Sequence, residues 1–585
     1  MRAVYEIAPE EIFLDSSNLP EFNAASFEGR VERPVANRAI FAVGAVFVLV
    51  ALGFGYRAFS LQVAHGASYE DISVNNTLKH SVIFATRGII YDRTGKELAW
   101  NEAALDVSTS TESLREGITA TNASSSIDAS LQNTDGNIYA IRKYTTMPGL
   151  SHVLGFVQYP KSDATGDWWR KEYTGVSGLE LSYDDRLAGK NGSRMLESDA
   201  HGRVQRENIV SPPVHGEDLH LSIDADVQSK LSQVLEAHAN EMGFKGGAAV
   251  IMDVRTGEVI ALTSFPGYDN QAFTDGNSAI VKAISQSPRS PMLNRAVGGL
   301  YTPGSIVKPV FAIAALQEGI ISANKSILST GALVLPNPYD PSNPSIFHDW
   351  TVHGWVDMRT AIAVSSDEYF YTIGGGFGGQ KGLGISKIDQ YAQLFGMAEK
   401  TGIDLKGEVE GVIPTPQWKE KNFGASDPWR IGDTYHTAIG QFGFQITPLQ
   451  AVRYVSAIAN GGKLFKPQML ASSTPEFRQI DIPDSYFQVA REGMRMAVVS
   501  DRPDATVKAL NIPGIQIAAK TGTAQLGSHN EYMNSWSVGF WPADNPKYAY
   551  AVVLENAPAH TASGAAPGLQ PFFYWLEGAH PEYVN

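Results

Sequence analysis

The chain has 585 residues, of which 43% are hydrophobic and 18% charged, and its formal net charge is −15 at pH 7. This length predicts more than one domain, and the composition is that of a globular protein. The acidic balance argues against a nucleic-acid partner. No cysteine is present, which excludes disulfides and thiol catalysis and is compatible with an extracytoplasmic location.

The N-terminal region combines a polar tail with a membrane-length apolar run. Residues 1–38 lack periodicity and predict a mostly disordered tail. The following 18 residues, 39–56, carry no charge, which is long enough for one membrane-spanning helix. Arg30, Arg33 and Arg38 precede this run, so the positive-inside rule predicts a cytoplasmic N-terminus. A cleaved signal peptide and a buried helix are the alternatives.

The next part of the chain resembles a non-catalytic packing domain. Apolar residues and a Thr-Gly turn predict a hairpin over 87–99. The segment 108–136 is rich in Ser, Thr, Asn and Asp and predicts a loop or a small subdomain. Turn and helix elements are expected over 152–155 and 175–184.

From about residue 219 the pattern changes to longer elements. A short strand over 219–224 ends in Asp224, which is placed to cap a helix over 225–241. Two apolar strands, 248–252 and 258–264, predict a hairpin.

A second hairpin is predicted near the C-terminus, with strands over 536–541 and 548–555. Strands that pair in hairpins, separated by helices, predict an antiparallel sheet with helices, which is an α+β fold.

The stretch 301–309, Tyr-Thr-Pro-Gly-Ser-Ile-Val-Lys-Pro, has features of a nucleophile site. A buried helix is predicted over 310–316, with Ser305 at its start and Lys308 on the same face. A serine needs a neighbouring base, and a lysine serves as one only when it is neutral. Alone, this Ser-x-x-Lys spacing is weak evidence for a catalytic site, because a helix cap followed by an exposed lysine has the same sequence pattern.

Two further motifs follow in order. Ser365 and Asp367 form a Ser-x-Asp motif, although alone they would fit a helix cap before 368–372. Lys520-Thr521-Gly522-Thr523 stands within a strand-like run, although alone it would fit an ordinary strand end. Ser-x-x-Lys, Ser-x-Asp or Ser-x-Asn, and Lys-Thr-Gly in this order are typical of penicillin-binding proteins and serine β-lactamases.

Most of the chain after residue 38 resembles a class B penicillin-binding protein, a monofunctional peptidoglycan transpeptidase. The segments 87–99 and 175–184 resemble two boxes of that family's pedestal domain. Within that family the chain resembles the elongation subfamily, the penicillin-binding protein 2 group, at Asp367 and in the stretches 353–357 and 432–450. Septal enzymes carry Asn at the position of Asp367.

The resemblance implies an α+β transpeptidase domain of the penicillin-binding and serine β-lactamase type, an elongated pedestal and one N-terminal transmembrane helix. The expected boundaries are 1–38 for a cytoplasmic tail, 39–58 for the helix, 59–215 for the pedestal and 216–585 for the transpeptidase domain. The implied location is the plasma (inner) membrane, with the catalytic domain in the periplasm.

The resemblance also implies acyl transfer from a stem peptide that ends in D-Ala-D-Ala. Ser305 is the expected nucleophile and Lys308 its general base. Ser365 is expected to relay a proton to the leaving amine, and Asp367 is expected to orient the second motif. Lys520 is expected to contribute a positive electrostatic potential at the site.

Substrate-binding residues are implied on the third motif. Thr521 and Thr523 are expected to hold the terminal carboxylate beside Gly522. The backbone N–H groups of Ser305 and Thr523 are expected to form the oxyanion hole.

His348, Asp349 and His353 stand close together before the second motif and raise the alternative of a metal site. The spacing is loose, so a solvated loop with packing around Trp350 and Trp355 is the preferred interpretation. No metal and no other cofactor is expected.

Several functions on the same fold remain open from the sequence. They are a septal transpeptidase, a D,D-carboxypeptidase, and a β-lactamase or β-lactam sensor, although no hydrolytic base can be picked out. The resemblance implies stem peptides as substrates, β-lactams as inhibitors, and as partners a SEDS-type (RodA-like) glycan polymerase and an MreC-like rod-shape protein. A scaffold role would complement these activities.

Overall fold

The structure is a computed structural model that describes residues 37–67, 79–102, 139–163, 168–198, 204–337 and 339–584. The predicted loop over 108–136, and all of the predicted tail up to residue 36, lie outside these residues. The chain divides into two compact units. One comprises Met1–Ser81 with Arg194–Val210, and the other comprises Val82–Ser193 with Ser211–Asn585.

The elements of the first two fifths of the chain are mostly short. They are α1 (Asn37–Phe59), β1 (Lys79–Ile83), β2 (Ile90–Tyr91), β3 (Glu97–Glu102), β4 (Ile141–Tyr144), α2 (Ser151–Leu154), β5 (Val157–Gln158), β6 (Lys161–Ser162), β7 (Trp168–Arg170), β8 (Thr174–Gly175), α3 (Gly178–Ser182), α4 (Asp184–Leu187), β9 (Gly192–Ser198), β10 (Val204–Ser211) and β11 (Leu219–His220).

Longer elements follow. They are α5 (Ala225–Met242), β12 (Gly246–Asp253), β13 (Val259–Phe265), α6 (Asn270–Thr274), α7 (Ser278–Ser285), α8 (Arg295–Gly298), α9 (Lys308–Gln317), β14 (Ile327–Ser329), β15 (Ala332–Leu335), β16 (Ser345–His348), β17 (Gly354–Val356), α10 (Met358–Val364), α11 (Asp367–Gly375), α12 (Gly384–Leu394), α13 (Pro416–Phe423), α14 (Ile431–Ala438), α15 (Pro448–Ala459), β18 (Lys463–Phe465), β19 (Phe477–Gln479), α16 (Asp484–Val499), β20 (Ala518–Leu526), β21 (Tyr532–Trp541), β22 (Tyr548–Pro558) and α17 (Ala565–Ala579).

The predicted membrane-length helix is present in the smaller unit. α1 continues into a π-helical turn, Ser60–Ala64, and the apolar segment Ile40–Ala64 spans 25 residues with none of it buried. That length is sufficient to cross the hydrocarbon core of a bilayer. Most of a three-stranded sheet with the order β1-β9-β10 belongs to the same unit.

In the larger unit, four of the strands before residue 221 form a sheet in the order β11-β2-β3-β4. The antiparallel pair β2–β3 confirms the predicted hairpin, and β11 adds to it in parallel, with Leu219 opposite Ile90. Glu180 on α3 accepts hydrogen bonds from two buried arginines, Arg87 at 2.5 Å and Arg142 of β4 at 2.8 Å. The three side chains are fully buried.

A five-stranded antiparallel sheet in the order β13-β12-β22-β21-β20 forms the centre of the larger unit and confirms both predicted hairpins. Along β12, Ala248 and Val250 pack into one core, whereas Ala249 and Ile251 pack into another. Alternate residues of a strand face opposite sides, so this sheet is buried on both faces.

Helices cover the two faces. α5 and α17 supply the second of these cores, and α9 and α15 contribute to the first. Asp224 caps α5 by accepting hydrogen bonds from the N–H groups of Asp226 and Val227, as the sequence predicts. α9 is buried from Lys308 to Leu316, which confirms the predicted buried helix.

Candidate functional site

The segment that carries Ser305 is a tight turn. Gly304–Val307 form a single 3₁₀ turn directly before α9, so Ser305 precedes the α-helix instead of starting it. Ser305 is partly exposed, although Gly304 and Ile306 on either side are buried. The turn therefore presents one hydroxyl group at the surface of an otherwise packed segment.

Backbone contacts hold this turn in place. The N–H of Gly304 donates to the carbonyl of Gly440 at 2.9 Å, and the hydroxyl of Tyr454 donates to the carbonyl of Ile306 at 3.0 Å. A Cβ on Gly304 would lie 2.7 Å from the carbonyl oxygen of Thr523, and Gly304 has a φ of 57°. Only glycine allows both this conformation and this approach of the turn to β20.

Lys308 points into the protein from the first turn of α9. Its side chain is fully buried and its Nζ donates to Asp367 Oδ1 at 2.6 Å and to the carbonyl of Ser365 at 2.7 Å. The ammonium also lies 5.4 Å from the centre of the Phe370 ring, which adds a cation–π contact. Lys308 is thus held by two residues of the second motif and by the ring of Phe370 in the helix that follows.

Lys520 approaches the same serine from β20. Its buried Nζ donates to Ser365 Oγ at 2.7 Å and to the carbonyl of Thr521 at 2.8 Å. Burial and the charge of Lys308 lower the pKa of Lys520 well below its ordinary value, against the attraction of Asp367. Ser365 Oγ is also 3.4 Å from Lys308 Nζ, so the hydroxyl of Ser365 lies between the two lysines.

Ser365 occupies the junction between α10 and α11. It caps the C-terminus of α10 in the left-handed region, with a φ of 59°, and Ser366 then caps the N-terminus of α11. Left-handed backbone is unfavourable for a serine and costs about 1–2 kcal/mol. The surrounding contacts maintain this strained junction, which turns Ser365 toward the lysines.

The pKa values of Asp367 and Asp349 are shifted in opposite directions. Burial and the charge of Asp349 raise the pKa of Asp367, against the attraction of Lys308. Burial would also raise the pKa of Asp349, but hydrogen bonding from His353, the charge of Lys308 and two backbone N–H groups lower it to about 2. The pKa values of the two carboxyl groups are therefore shifted in opposite directions, and Asp349 is the stronger acid.

The loop before the second motif differs from the expectation. Asp349 and His353 are buried, so this part is not a solvated loop, because their side chains bond to each other and to neighbouring elements. Nδ1 of His353 lies 2.8 Å from Asp504 and Nε2 lies 3.4 Å from Asp349. Trp350 and Trp355 are more than half exposed.

The alternative of a metal at this loop finds no support. His348 is exposed and contributes only its backbone carbonyl, which accepts a hydrogen bond from Tyr371. Within the described ranges, no group of three or more His, Asp or Glu side chains is arranged to hold a metal ion. His353 instead hydrogen-bonds Asp504 through Nδ1 and stands beside the carboxylate of Asp349.

The third motif lies on β20, which is the last strand of the sheet and leaves one edge unpaired. Thr521 is partly exposed and Thr523 is exposed, whereas Gly522 is buried against the Ser305 turn. A Cβ on Gly522 would lie 2.6 Å from the carbonyl oxygen of Pro303. The strand and the turn therefore meet with no space for a side chain between them.

The three predicted motifs thus come together, and two residues outside them complete the arrangement. The sequence indicates Asp349 only as a candidate metal ligand, and it places Gln441 only within the stretch 432–450 that resembles the elongation subfamily. Gln441 donates from Nε2 to the carbonyl of Thr523 at 3.2 Å. No spacing rule connects these residues to Ser365 or β20, because the contacts depend on how distant elements pack.

Two protein families match separate parts of the chain. The family model of the penicillin-binding protein transpeptidase domain matches residues 247–572, and that of the penicillin-binding protein dimerisation domain matches residues 125–221. The chain is 31% identical to a protein of Acinetobacter baumannii named peptidoglycan D,D-transpeptidase MrdA, over 93% of this chain and 88% of that protein.

Two solved structures are similar in fold. A complex between penicillin-binding protein PBP2 and MreC from Helicobacter pylori matches with a TM-score of 0.67 and 27% identity, over 86% of this chain and 100% of the matched chain. A peptidoglycan synthase complex, described as coordinating polymerization and crosslinking, matches with a TM-score of 0.68 and 25% identity, over 93% of this chain and 98% of the matched chain.

Proposed function

The chain belongs to the penicillin-binding protein transpeptidase family, and on that premise we propose how its site works. The protein is a peptidoglycan D,D-transpeptidase of the penicillin-binding protein 2 (elongation) type. It cross-links stem peptides through an acyl-enzyme and binds β-lactams as inhibitors. The expected fold and function are therefore confirmed at the level of the family.

One observation supports the assignment of the site residues. The hydroxyl of Ser365 lies between Lys308 and Lys520, at 3.4 and 2.7 Å, while Asp367 binds Lys308 at 2.6 Å. The partly exposed Ser305 turn adjoins this group through α9 and β20. We assign Ser305 as the nucleophile on this basis.

A proton relay through Ser365 allows Lys308 to act as the base. In this relay Lys308, whose Nζ donates to the carboxylate of Asp367, supplies a proton, and the lowered pKa of Lys520 favours its neutral form. Ser365 gives its proton to Lys520 and takes one from Lys308. The neutral Lys308 then accepts the proton of Ser305 as the new ester bond forms.

Backbone N–H groups would stabilise the oxyanion that develops. The N–H groups of Ser305, at the start of a helical turn, and of Thr523, on β20, are the assigned donors. Each donor in such a hole typically contributes about 3 kcal/mol in the transition state. Thr521 and Thr523 hold the terminal carboxylate of the donor peptide beside Gly522. The positive electrostatic potential of Lys520 attracts the same carboxylate.

The reaction then proceeds in two balanced steps. The carbonyl carbon of the penultimate D-Ala bonds to Ser305 Oγ, the peptide C–N bond breaks, and the departing D-Ala amine takes a proton from the relay through Ser365. The amine of a neighbouring stem peptide attacks the ester in the second step. Its proton returns to the relay and Ser305 regains its hydroxyl hydrogen.

The membrane topology and partners follow from the same premise. α1 crosses the plasma (inner) membrane once, with Arg30, Arg33 and Arg38 on the cytoplasmic side and the catalytic unit in the periplasm. We extend to this chain the assembly with an MreC-like protein and with a SEDS-type (RodA-like) polymerase. The domain boundaries 59–215 and 216–585 remain predictions.

The test is covalent labelling of the full chain in detergent with a fluorescent penicillin. We expect a stable adduct in the unaltered protein and none in Ser305→Ala. An adduct that is released within seconds would indicate a β-lactamase instead. No adduct in either protein would contradict the assignment of the site.

A second assay separates transpeptidation from carboxypeptidation. A stem pentapeptide is supplied together with a peptide that carries an acceptor amine, and the products are separated by mass. Cross-linked product is expected in excess over hydrolysed tetrapeptide. Hydrolysed product alone at every acceptor concentration would favour a D,D-carboxypeptidase.

A further inference from the structure

β20 leaves a row of backbone groups at the edge of the sheet, and the carbonyl oxygens of Thr521 and Thr523 belong to it. Residues two apart in a strand direct their backbone groups to the same edge. The carbonyl of Thr523 accepts from the side chain of Gln441, which lies outside the sheet, and the carbonyl of Thr521 accepts from the side chain of Lys520 on β20 itself. They therefore lie on the edge of β20 opposite to β21.

An extended peptide binds such an edge by forming main-chain hydrogen bonds. The acyl donor in the proposed function is a peptide, and its amide N–H groups need carbonyl partners along β20. Thr523 supplies one beside the Ser305 turn, because its carbonyl lies 2.7 Å from a Cβ position on Gly304. In this structure the carbonyl of Thr523 is already bonded to the side chain of Gln441, at 3.2 Å.

The backbone of Gln441 is firmly held. Its N–H donates to the carbonyl of His436 at 2.9 Å, and the preceding Gly440 binds Gly304. Phe442, which follows, has a φ of 60°, a left-handed conformation that is unfavourable for an aromatic residue. The position of Gln441 is thus imposed by its neighbours on both sides.

An aromatic cluster maintains the strained conformation of Phe442. Its ring centre lies 5.9 Å from that of Trp418, 5.7 Å from that of Trp429 and 6.3 Å from that of Phe423. Nζ of Lys419 lies 5.5 Å from the same ring centre. Since strained backbone persists only where its surroundings enforce it, this cluster fixes the segment from which Gln441 reaches β20.

We propose that Gln441 is a specificity-determining gate on β20, whose side-chain amide occupies the Thr523 carbonyl until the donor peptide's amide N–H displaces it. The inference rests on the proposed function, since it assumes a peptide donor on this edge. Only ligands with an amide N–H at that position compete with Gln441. Ligands that lack this group bind without disturbing it.

Ligands with and without this amide N–H should respond differently when the donor of Gln441 is removed. In the unaltered protein, binding of an amide-bearing ligand exchanges one hydrogen bond to Thr523 for another. Removing the donor of Gln441 leaves Thr523 free, so the ligand gains a hydrogen bond without losing one. A typical net hydrogen bond corresponds to a rate increase of roughly two- to tenfold.

The experiment compares acylation of the full chain in detergent by benzylpenicillin and by penicillanic acid, the same bicyclic lactam without the side-chain amide. The variants are Gln441→Met, which keeps the length of the side chain but removes its donor, and Gln441→Ala. Gln417→Ala, at an exposed glutamine of α13, is the matched control. Second-order acylation rate constants and melting temperatures are measured for each protein.

Acceleration by roughly two- to tenfold for benzylpenicillin, with penicillanic acid unchanged, supports the gate. Equal changes for both lactams, no change, or a loss for benzylpenicillin alone overturns it. If Gln441→Ala lowers the melting temperature, the comparison rests on Gln441→Met. Failure of the proposed function looks different, because the unaltered protein would then be acylated by neither lactam or Ser305→Ala would be acylated equally.

Discussion

Asp349 accepts a hydrogen bond from the hydroxyl of Ser366 at 2.8 Å, and the same carboxylate oxygen accepts one from the N–H of Glu368 at 2.9 Å. Both donors belong to the N-terminal turn of α11, which also carries Asp367. A negative charge at this end of a helix is favourable because the free N–H groups point toward it. Asp349 thereby fixes the second motif although it belongs to none of the three motifs.

We expect substitution of Asp349 to slow acylation of Ser305. Hydrogen bonds to a charged group contribute about 1.5–3 kcal/mol, so Asp349→Ala should lower the rate constant by about ten- to a hundredfold. Asp349→Asn should have a smaller effect, since it keeps one acceptor oxygen. Fluorescent penicillin labelling measures both, with Asp340→Asn as the control at an exposed loop position. Equal rates in all four proteins would contradict this role.

The acylation rate should fall as the pH decreases. Burial and the charge of Lys308 lower the pKa of Lys520, so Lys520 is neutral above that pKa and becomes charged below it. A charged Lys520 cannot take the proton of Ser365, and the relay stops. Asp367 raises the pKa of Lys520, so Asp367→Asn should move the acidic limb of the pH–rate profile to lower pH. The maximal rate should also fall.

This shift is measured from acylation rate constants over a pH series for the unaltered protein and for Asp367→Asn. Asp340→Asn removes an exposed carboxylate and should leave the limb in place. A limb that moves to higher pH in Asp367→Asn would contradict the assignment of Lys520 as the proton acceptor.

Gly440→Ala should abolish most of the acylation. The added Cβ would lie 2.2 Å from the carbonyl oxygen of Gly304, so the Ser305 turn must move. Displacement of a reacting group by about 1 Å can lower a rate on the order of a hundredfold. Gly276→Ala is the matched control, because Gly276 also has a positive φ, of 70°, but has no atom within 4 Å of the added Cβ.

Gly276→Ala should then lose only stability, by about 1–2 kcal/mol, with an unchanged rate of acylation. Denaturation curves and penicillin labelling of both variants separate the two effects. Similar acylation by both variants would show that the contact of Gly440 with Gly304 does not position Ser305.

Glu180→Gln should destabilise the protein strongly. The side chains of Arg87, Arg142 and Glu180 are fully buried, and the substitution leaves two guanidinium groups without their shared carboxylate. Breaking a buried pair in this way costs about 3–5 kcal/mol. Glu217→Gln, which breaks an exposed pair with Arg186, should cost at most about 1 kcal/mol. Urea denaturation of both variants tests the difference, and equal losses would contradict it.

Much of the molecule is determined by local sequence. The uncharged run before residue 57 and the continuously apolar strands of the central sheet encode their elements through hydrophobic composition. Asp224 marks the start of α5 through capping chemistry. The order of the three motifs also indicates the family, because each motif needs only neighbouring residues to be recognised. For these features the sequence and the structure agree.

Other features depend on tertiary packing. Three features bring together residues that are distant in the chain. Ser365 lies between Lys308 and Lys520, and Gln441 contacts Thr523. Asp349 and His353 are buried by elements that follow later in the sequence. Such contacts arise only when α9, α11, α14 and β20 pack around one point. Local propensity carries no information about that arrangement, because the same side chains would be solvated if these elements packed elsewhere.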